Sequence, residues 1–448
     1  MANLEMTSDI ENYLQSIIPN YASQFQAFTI SILILAFISS ALLSFGEGAN
    51  SSATQLAAAV GSGAMTVRTA CIVGTFCEII GAVLLSGEVI QTITTKIFNT
   101  EEHYRTHYNS TFGLIDPPLY DVSYCNKSLT SSGSSTCLVM DQALMPEAMY
   151  MIGAASVAIG AGSWQIIASY AGLPVSGTHS TVGALIGFSL TARGPESLMY
   201  NKLGKIIMSW FISPVFSGIV CIFCYYPIKT WIINSSDPLA MGKKFYAIIW
   251  AIATFISVGG MLTTKNPLKA KLKGIDEGML VIYLWSAAAV LALLVFLVIH
   301  ALIKLKKINF NSPKNEERQR ANTELLLQST VNEASFKPVG VQVMTSFRDM
   351  SQNDDDPVET KQLFTSLQWL STICSSLGHG GNDVGNCIGP LVVAFTLYNR
   401  PLIDISKASA PLVILFYGGA CISVGLWLFG RNIMKTIDSL ILSSWKVF

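Results

Sequence analysis

The stretch Gly378-His379-Gly380-Gly381-Asn382-Asp383-Val384-Gly385-Asn386 sets one carboxylate and two carboxamides among glycines, between the apolar runs 363–377 and 388–397. An aspartate at membrane depth costs about 2.5–3.5 kcal/mol on insertion scales, so it calls for a partner, often an ion. Carboxylate, carboxamide, hydroxyl and backbone oxygens are the donors that hard cations take. On a helix Asn382 and Asn386 share a face with Asp383 one step round, and the flanking glycines admit unwound backbone. Much earlier, Gly48-Ala49-Asn50-Ser51-Ser52-Ala53-Thr54 repeats the pattern glycine, small, Asn, two others, small, polar. Asn50 and Thr54 have the same four-residue spacing. A weaker reading has these Asn and Asp side chains capping broken helices or bonding across a bundle. A third stretch, 172–181, holds a proline, two glycines and four hydroxyls. It predicts two half-helices meeting inside a membrane, a break that persists only where protein or a cavity satisfies the backbone. A half-helix starting near Ser176 offers an anion the backbone at Gly177, the positive end of its dipole, and the hydroxyls of Ser176, Thr178 and Ser180. The bland alternative is a Pro/Gly kink with its hydroxyls bonded back to the helix. His179 is read as orienting a hydroxyl and His379 as structural. Glu78 sits in an apolar run, placed for a cation or proton contact or for a buried pair with Arg68.

The elements that position these groups follow from composition. Of the 448 residues 51% are hydrophobic and 12% charged, with formal net charge zero and mean hydropathy +0.48. A soluble domain carries about 25% charge. The expected fold is all-α, a polytopic transmembrane protein with inverted repeats and broken or re-entrant helices. Spans are expected at 25–45, 70–93, 149–170, 173–190, 206–232, 245–262, 279–303 and 412–429, at about 20 residues per crossing. The distant pair of Asn-bearing stretches is an internal repeat, as in transporters whose site lies where two halves meet near the bilayer midplane. Five blocks follow: a polar lead-in 1–24, a first membrane block 25–303, a hydrophilic loop 304–362 of disordered composition, a second membrane block 363–430 and a tail 431–448. Within 94–146 lie sequons at Asn109 and Asn126 and the pair Cys125 and Cys137, which predict a glycosylated extracellular or lumenal loop with a disulfide. Lysines flank 279–303 on both sides, so the charge rule is equivocal and the sequon loop decides orientation. If every span from 149 to 303 crosses once, the 304–359 loop is cytosolic. Neutral charge excludes nucleic acid as a partner. With no nucleotide loop, metal-ligand cluster or nucleophile constellation, an enzyme is not expected, nor any cofactor.

These residues resemble the inorganic phosphate transporter (PiT) family of sodium-phosphate symporters. The family signature Gly-Ala-Asn-Asp-Val-Ala-Asn fits at Gly380 to Asn386, continuing through Ile388-Gly389-Pro390-Leu391-Val392. Further matches are Thr66-Val67-Arg68, the run Glu78 to Leu85, and Leu173-Pro174-Val175-Ser176-Gly177-Thr178-His179-Ser180. The resemblance implies import of inorganic phosphate with sodium by alternating access in the plasma membrane, with a homodimer as one admissible assembly. It implies cations at Asn382, Asp383, Asn386, Asn50, Thr54 and Glu78, and phosphate at Ser176, Gly177, Thr178 and Ser180. The chain departs from the family in its first signature, where Ser51 replaces the aspartate and Thr54 the second asparagine. The second break expected in the C-terminal half is absent before Phe448, so the C-terminal repeat is expected to be short. Transport of another oxyanion such as sulfate, or a non-transporting, receptor-like remnant, are the alternatives.

Overall fold

A computed structural model describes residues 21–95, 135–263, 277–305, 358–399 and 410–444. Helix α1 (Tyr21–Glu47) runs through a π-helical turn (Gly48–Ser52) into α2 (Ala53–Gly61), and α3 (Val67–Leu85) bends at Ser86 into α4 (Gly87–Thr95). The long α5 (Ser135–Tyr170) stops at a break, and α6 (Gly177–Arg193) follows. Then come α7 (Tyr200–Ile228), α8 (Pro238–Thr263), α9 (Glu277–Lys304), α10 (Val358–Asn399) and α11 (Leu412–Ser444). Among the described residues seven helical stretches are long and apolar enough to cross a membrane. The signature helix α10 is too polar to be among them, yet from Gly380 to Ala394 every side chain except Asn382 is buried. This all-α, multi-pass architecture is the expected one.

Several boundaries differ from the sequence reading. Neither signature unwinds: α10 is continuous through 378–386, and the first copy merely widens to a π turn. Without water, backbone groups bond within their own helix. The glycines bring neighbouring backbones close instead of loosening their own. The loop expected at 94–146 gives way to helix from Ser135, and the tail expected from 431 is the end of α11. Both sequons and the side chains of Cys125 and Cys137 lie outside the described residues.

The break at 171–176 is where expected, but α6 does not cross independently. Phe188 stacks on Tyr150 at 6.2 Å and lies over Gly153, so α6 folds back along α5 as a hairpin that enters and leaves at one end of the bundle. Three through-helices, α7 to α9, follow, so Thr95 and Lys304 still emerge at opposite ends. From Gly204 to Ile228 α7 buries no residue, as expected of a lipid-facing helix.

The centre is two pairs of parallel helices. In α10, Gly381, Gly385 and Gly389 ride on Leu85, Val89 and Ile93 of α3 and α4 in the same order. Helix α11 runs along α1, with Tyr417 against Phe37 at 5.5 Å and Phe429 against Phe45 at 5.7 Å. The pairs oppose each other: Ser40 Oγ donates to Cys387 O at 3.1 Å, and beyond the π turn Ser376 Oγ donates to Gln55 Oε1 at 3.1 Å. The two related sequences therefore cross antiparallel at their signatures, which is an inverted repeat in space.

Contact is close at Gly380, where a methyl group would overlap the Glu78 backbone. Backbone cannot swing aside like a side chain, and overpacking costs about 1–3 kcal/mol. Gly380→Ala is expected to melt below wild type in detergent; an unchanged melting temperature would show that the seam yields.

Candidate functional site

The two signatures and the hairpin tip converge at the crossing of α1 and α10. The π turn carries Asn50, whose side chain is fully buried. Asn50 Nδ2 donates to Leu173 O at 2.9 Å and to Ser169 Oγ at 3.1 Å, while its Oδ1 accepts from Val175 N–H at 2.9 Å. These bonds close the backbone groups that the break frees, so Asn50 is a latch on the hairpin. Its amide is thus engaged at both ends, with one lone pair of Oδ1 taken by Val175 N–H. Thr54 is likewise turned inward on its own helix, its hydroxyl donating to Asn50 O at 2.9 Å.

Ser176 caps α6, its Oγ accepting a long 3.4 Å bond from His179 N–H, and Ser180 Oγ donates to Ser176 O at 2.8 Å. The next N–H groups, of Gly177 and Thr178, have no acceptor inside the helix, as at any helix start. Thr178 reaches α10: its Oγ1 accepts from Asn386 Nδ2 at 2.8 Å and more weakly from Asn382 Nδ2 at 3.4 Å. The anion-type and cation-type sets predicted from sequence are therefore in direct contact. The His179 ring packs edge-on to Trp210 at 4.1 Å and is exposed, a packing position that neither requires nor excludes the orienting role expected of it.

Below the tip the site is acidic. Asp383 Oδ1 accepts from Asn382 Nδ2 at 3.0 Å, and its Oδ2 faces His379 Nε2 at 3.0 Å. The other ring nitrogen, His379 Nδ1, faces Glu78 Oε1 at 2.7 Å. Glu78 is fully buried and paired with His379 rather than with Arg68, which is exposed on the first turn of α3. His379, expected to be structural, is the bridge between two carboxylates. Its signal was available, since His379 and Asp383 are four apart on a helix.

Sequence reading also passed over Glu47 and Gln165, neither of which is exposed at all. Glu47 lies beside both Asp383 and Gln165 and accepts from Ser51 Oγ at 2.7 Å. Several inward-facing atoms have no hydrogen-bond partner: Glu47 Oε1, Glu78 Oε2, both amide atoms of Gln165 and Asn386 Oδ1. Buried polar groups in native proteins are normally satisfied, so an oxygen-rich centre of this kind is suited to a hard cation.

Comparison with known proteins gives these groups a context. The solved structure of a sodium-dependent phosphate transporter superposes with a TM-score of 0.60 over 91% of this chain and 78% of that one, at 24% identity, which establishes a shared fold. Sodium-dependent phosphate transporter 1 of Mus musculus is 32% identical over 237 residues, 53% of this chain and 29% of that protein. A putative phosphate permease of Haemophilus influenzae is 26% identical over 398 residues, 89% of this chain and 74% of the permease. Sodium-dependent phosphate transporter 2 of Xenopus laevis is 37% identical over 210 residues, 47% of this chain and 26% of the relative. The chain thus spans less than a third of the length of these animal relatives. The sequence profile of the phosphate transporter family matches residues 47–117 and 126–444, a range that takes in both signatures, the hairpin tip and the acidic centre, and the chain belongs to that family.

Proposed function

We propose that this protein carries inorganic phosphate inward across the plasma membrane together with sodium, by alternating access, as a transporter and not an enzyme. The observation that carries the reading is the meeting of a helix start, with the Gly177 and Thr178 N–H groups unbonded within the helix, and a carboxylate centre at the crossing of two inverted repeats. Phosphate would take the N–H groups and hydroxyls of Ser176, Gly177, Thr178 and Ser180. Sodium would take Asp383 with Asn382 and Asn386, with Glu78 reached through His379.

Coupling follows from charge. Unit charges about 4 Å apart interact by roughly 4 kcal/mol at an effective dielectric near 20. An anion at the tip is therefore disfavoured while the carboxylates below are bare and favoured once a cation neutralises them. The membrane potential adds about 2.3 kcal/mol per net charge per 100 mV.

The test is uptake of radiolabelled phosphate into cells expressing the chain, with sodium or choline outside and surface protein quantified. Uptake that needs sodium and is displaced by unlabelled phosphate but not by sulfate is expected. Surface protein without sodium-dependent uptake would refute the reading.

A further inference from the structure

Ser51 stands where the repeat should carry its first aspartate, which leaves the inverted pair one carboxylate short. We propose that Glu47, one turn earlier, supplies that carboxylate, and that with Asp383 it forms a sodium site beneath the first turn of α6. The inference rests on the sodium-coupled reading above and assigns one of its cation sites.

Four observations carry it. Glu47 is fully buried and lies beside Asp383, so carboxylates from both repeats meet as the inverted arrangement requires. The replacement serine is not idle: Ser51 Oγ donates to Glu47 Oε2 at 2.7 Å and aims the longer acid inward. The remaining oxygen, Glu47 Oε1, has no partner, nor do Asn386 Oδ1 or the amide of Gln165, although each of these side chains is at least nine-tenths buried. Finally, a Cβ at Gly177 would overlap the Glu47 carboxylate, so a glycine there lets the start of α6 settle directly on the acid.

Charge balance points the same way. His379 faces Glu78 and Asp383, and at most one positive charge on its ring answers two carboxylates. Glu47 adds another acid, and adjacent buried carboxylates do not both stay ionised without a countercharge. Carboxylate oxygens from Glu47 and Asp383 with amide oxygens from Asn386 and Gln165 make a hard donor set of the kind sodium takes. A cation here would lie under the anion-binding turn of α6 and bring the two sites into electrical contact.

Radioactive sodium binding to the purified full chain, without phosphate, tests this. Wild type is expected to bind saturably, Glu47→Gln to bind at least tenfold more weakly, and Glu47→Gln with Ser51→Asp to regain most of the affinity. That rescue is one that a packing role for Glu47 would not produce. Sodium binding unchanged in Glu47→Gln, no saturable binding by wild type, or loss without rescue in variants that melt like wild type would each overturn the proposal. If Glu47→Gln misfolds, Glu47→Asp takes its place, with a severalfold weakening expected and unchanged affinity counting against it. The two readings fail separately: sodium binding that depends on Glu47 without sodium-driven phosphate uptake would remove the transport reading alone, whereas uptake indifferent to Glu47→Gln would remove this site alone.

Discussion

Asp383→Asn is expected to abolish sodium-driven phosphate uptake, by a factor of about a hundred or more, in protein that still reaches the surface. The substitution keeps size and shape, and the remaining oxygen can still accept from Asn382, which approaches Asp383 Oδ1 at 3.0 Å. What is lost is the charge. His379 Nε2, 3.0 Å from Asp383 Oδ2, would then answer only to Glu78. Removing one member of a buried ion pair costs about 3–5 kcal/mol, and each 1.4 kcal/mol is about tenfold in an equilibrium constant. The measurement is initial uptake rate in sodium, normalised to surface protein. A variant within a few-fold of wild type would take Asp383 out of the cation set.

The second large effect is expected at Asn50, through the hairpin tip that it holds. Asn50→Ala removes the bonds to Leu173 O, Val175 N–H and Ser169 Oγ together. Each unsatisfied buried polar group costs about 1–3 kcal/mol, so the closed tip should lose roughly 3–5 kcal/mol relative to an open one. Amide exchange at residues 171–178 is expected to speed up by more than a hundredfold while α3 and α10 stay protected, and uptake should fall with it. Asn50→Asp should not repair the defect, because its second oxygen would face the Leu173 carbonyl. Unchanged exchange at the tip would mean that the hairpin is held elsewhere.

Much of this was legible from local pattern. The break at 172–181 announced itself by Pro174 beside glycines and hydroxyls, and the signature at 380–386 by polar groups that apolar neighbours could not explain. Long-range partnership was not legible. The part Asn50 plays in holding the hairpin shows only through partners 119 to 125 residues away. Glu47 was overlooked because the repeat drew attention to Ser51, and repeat alignment compares positions, whereas a carboxylate can reach the same point from a turn away. The return of α6 along α5 was legible only as one of two options, because hydropathy registers a membrane segment but not which side it leaves from. The continuity of α10 stayed open because glycine signals both loosened backbone and close packing, and only the neighbours decide between them.

The distribution of close contacts also determines where the protein is mechanically soft. Gly380 on Glu78, Gly48 on Ile422 and Gly162 on Leu43 bring helix backbones together at three seams, with no intervening side chain to flex. Helix α6 is attached otherwise. Its Gly183 and Gly187 have open space where a side chain would be, and Gly172 and Gly194, just outside its two ends, have φ of +71° and +77°. Such left-handed glycines are swivels that other residues rarely supply. The compliance of the core is thus concentrated in a single arm, pinned at its tip by Asn50 and by Thr178. Breaking those few hydrogen bonds would let the arm tilt while the glycine seams stay shut, so the part free to open a path is the part that would hold the anion.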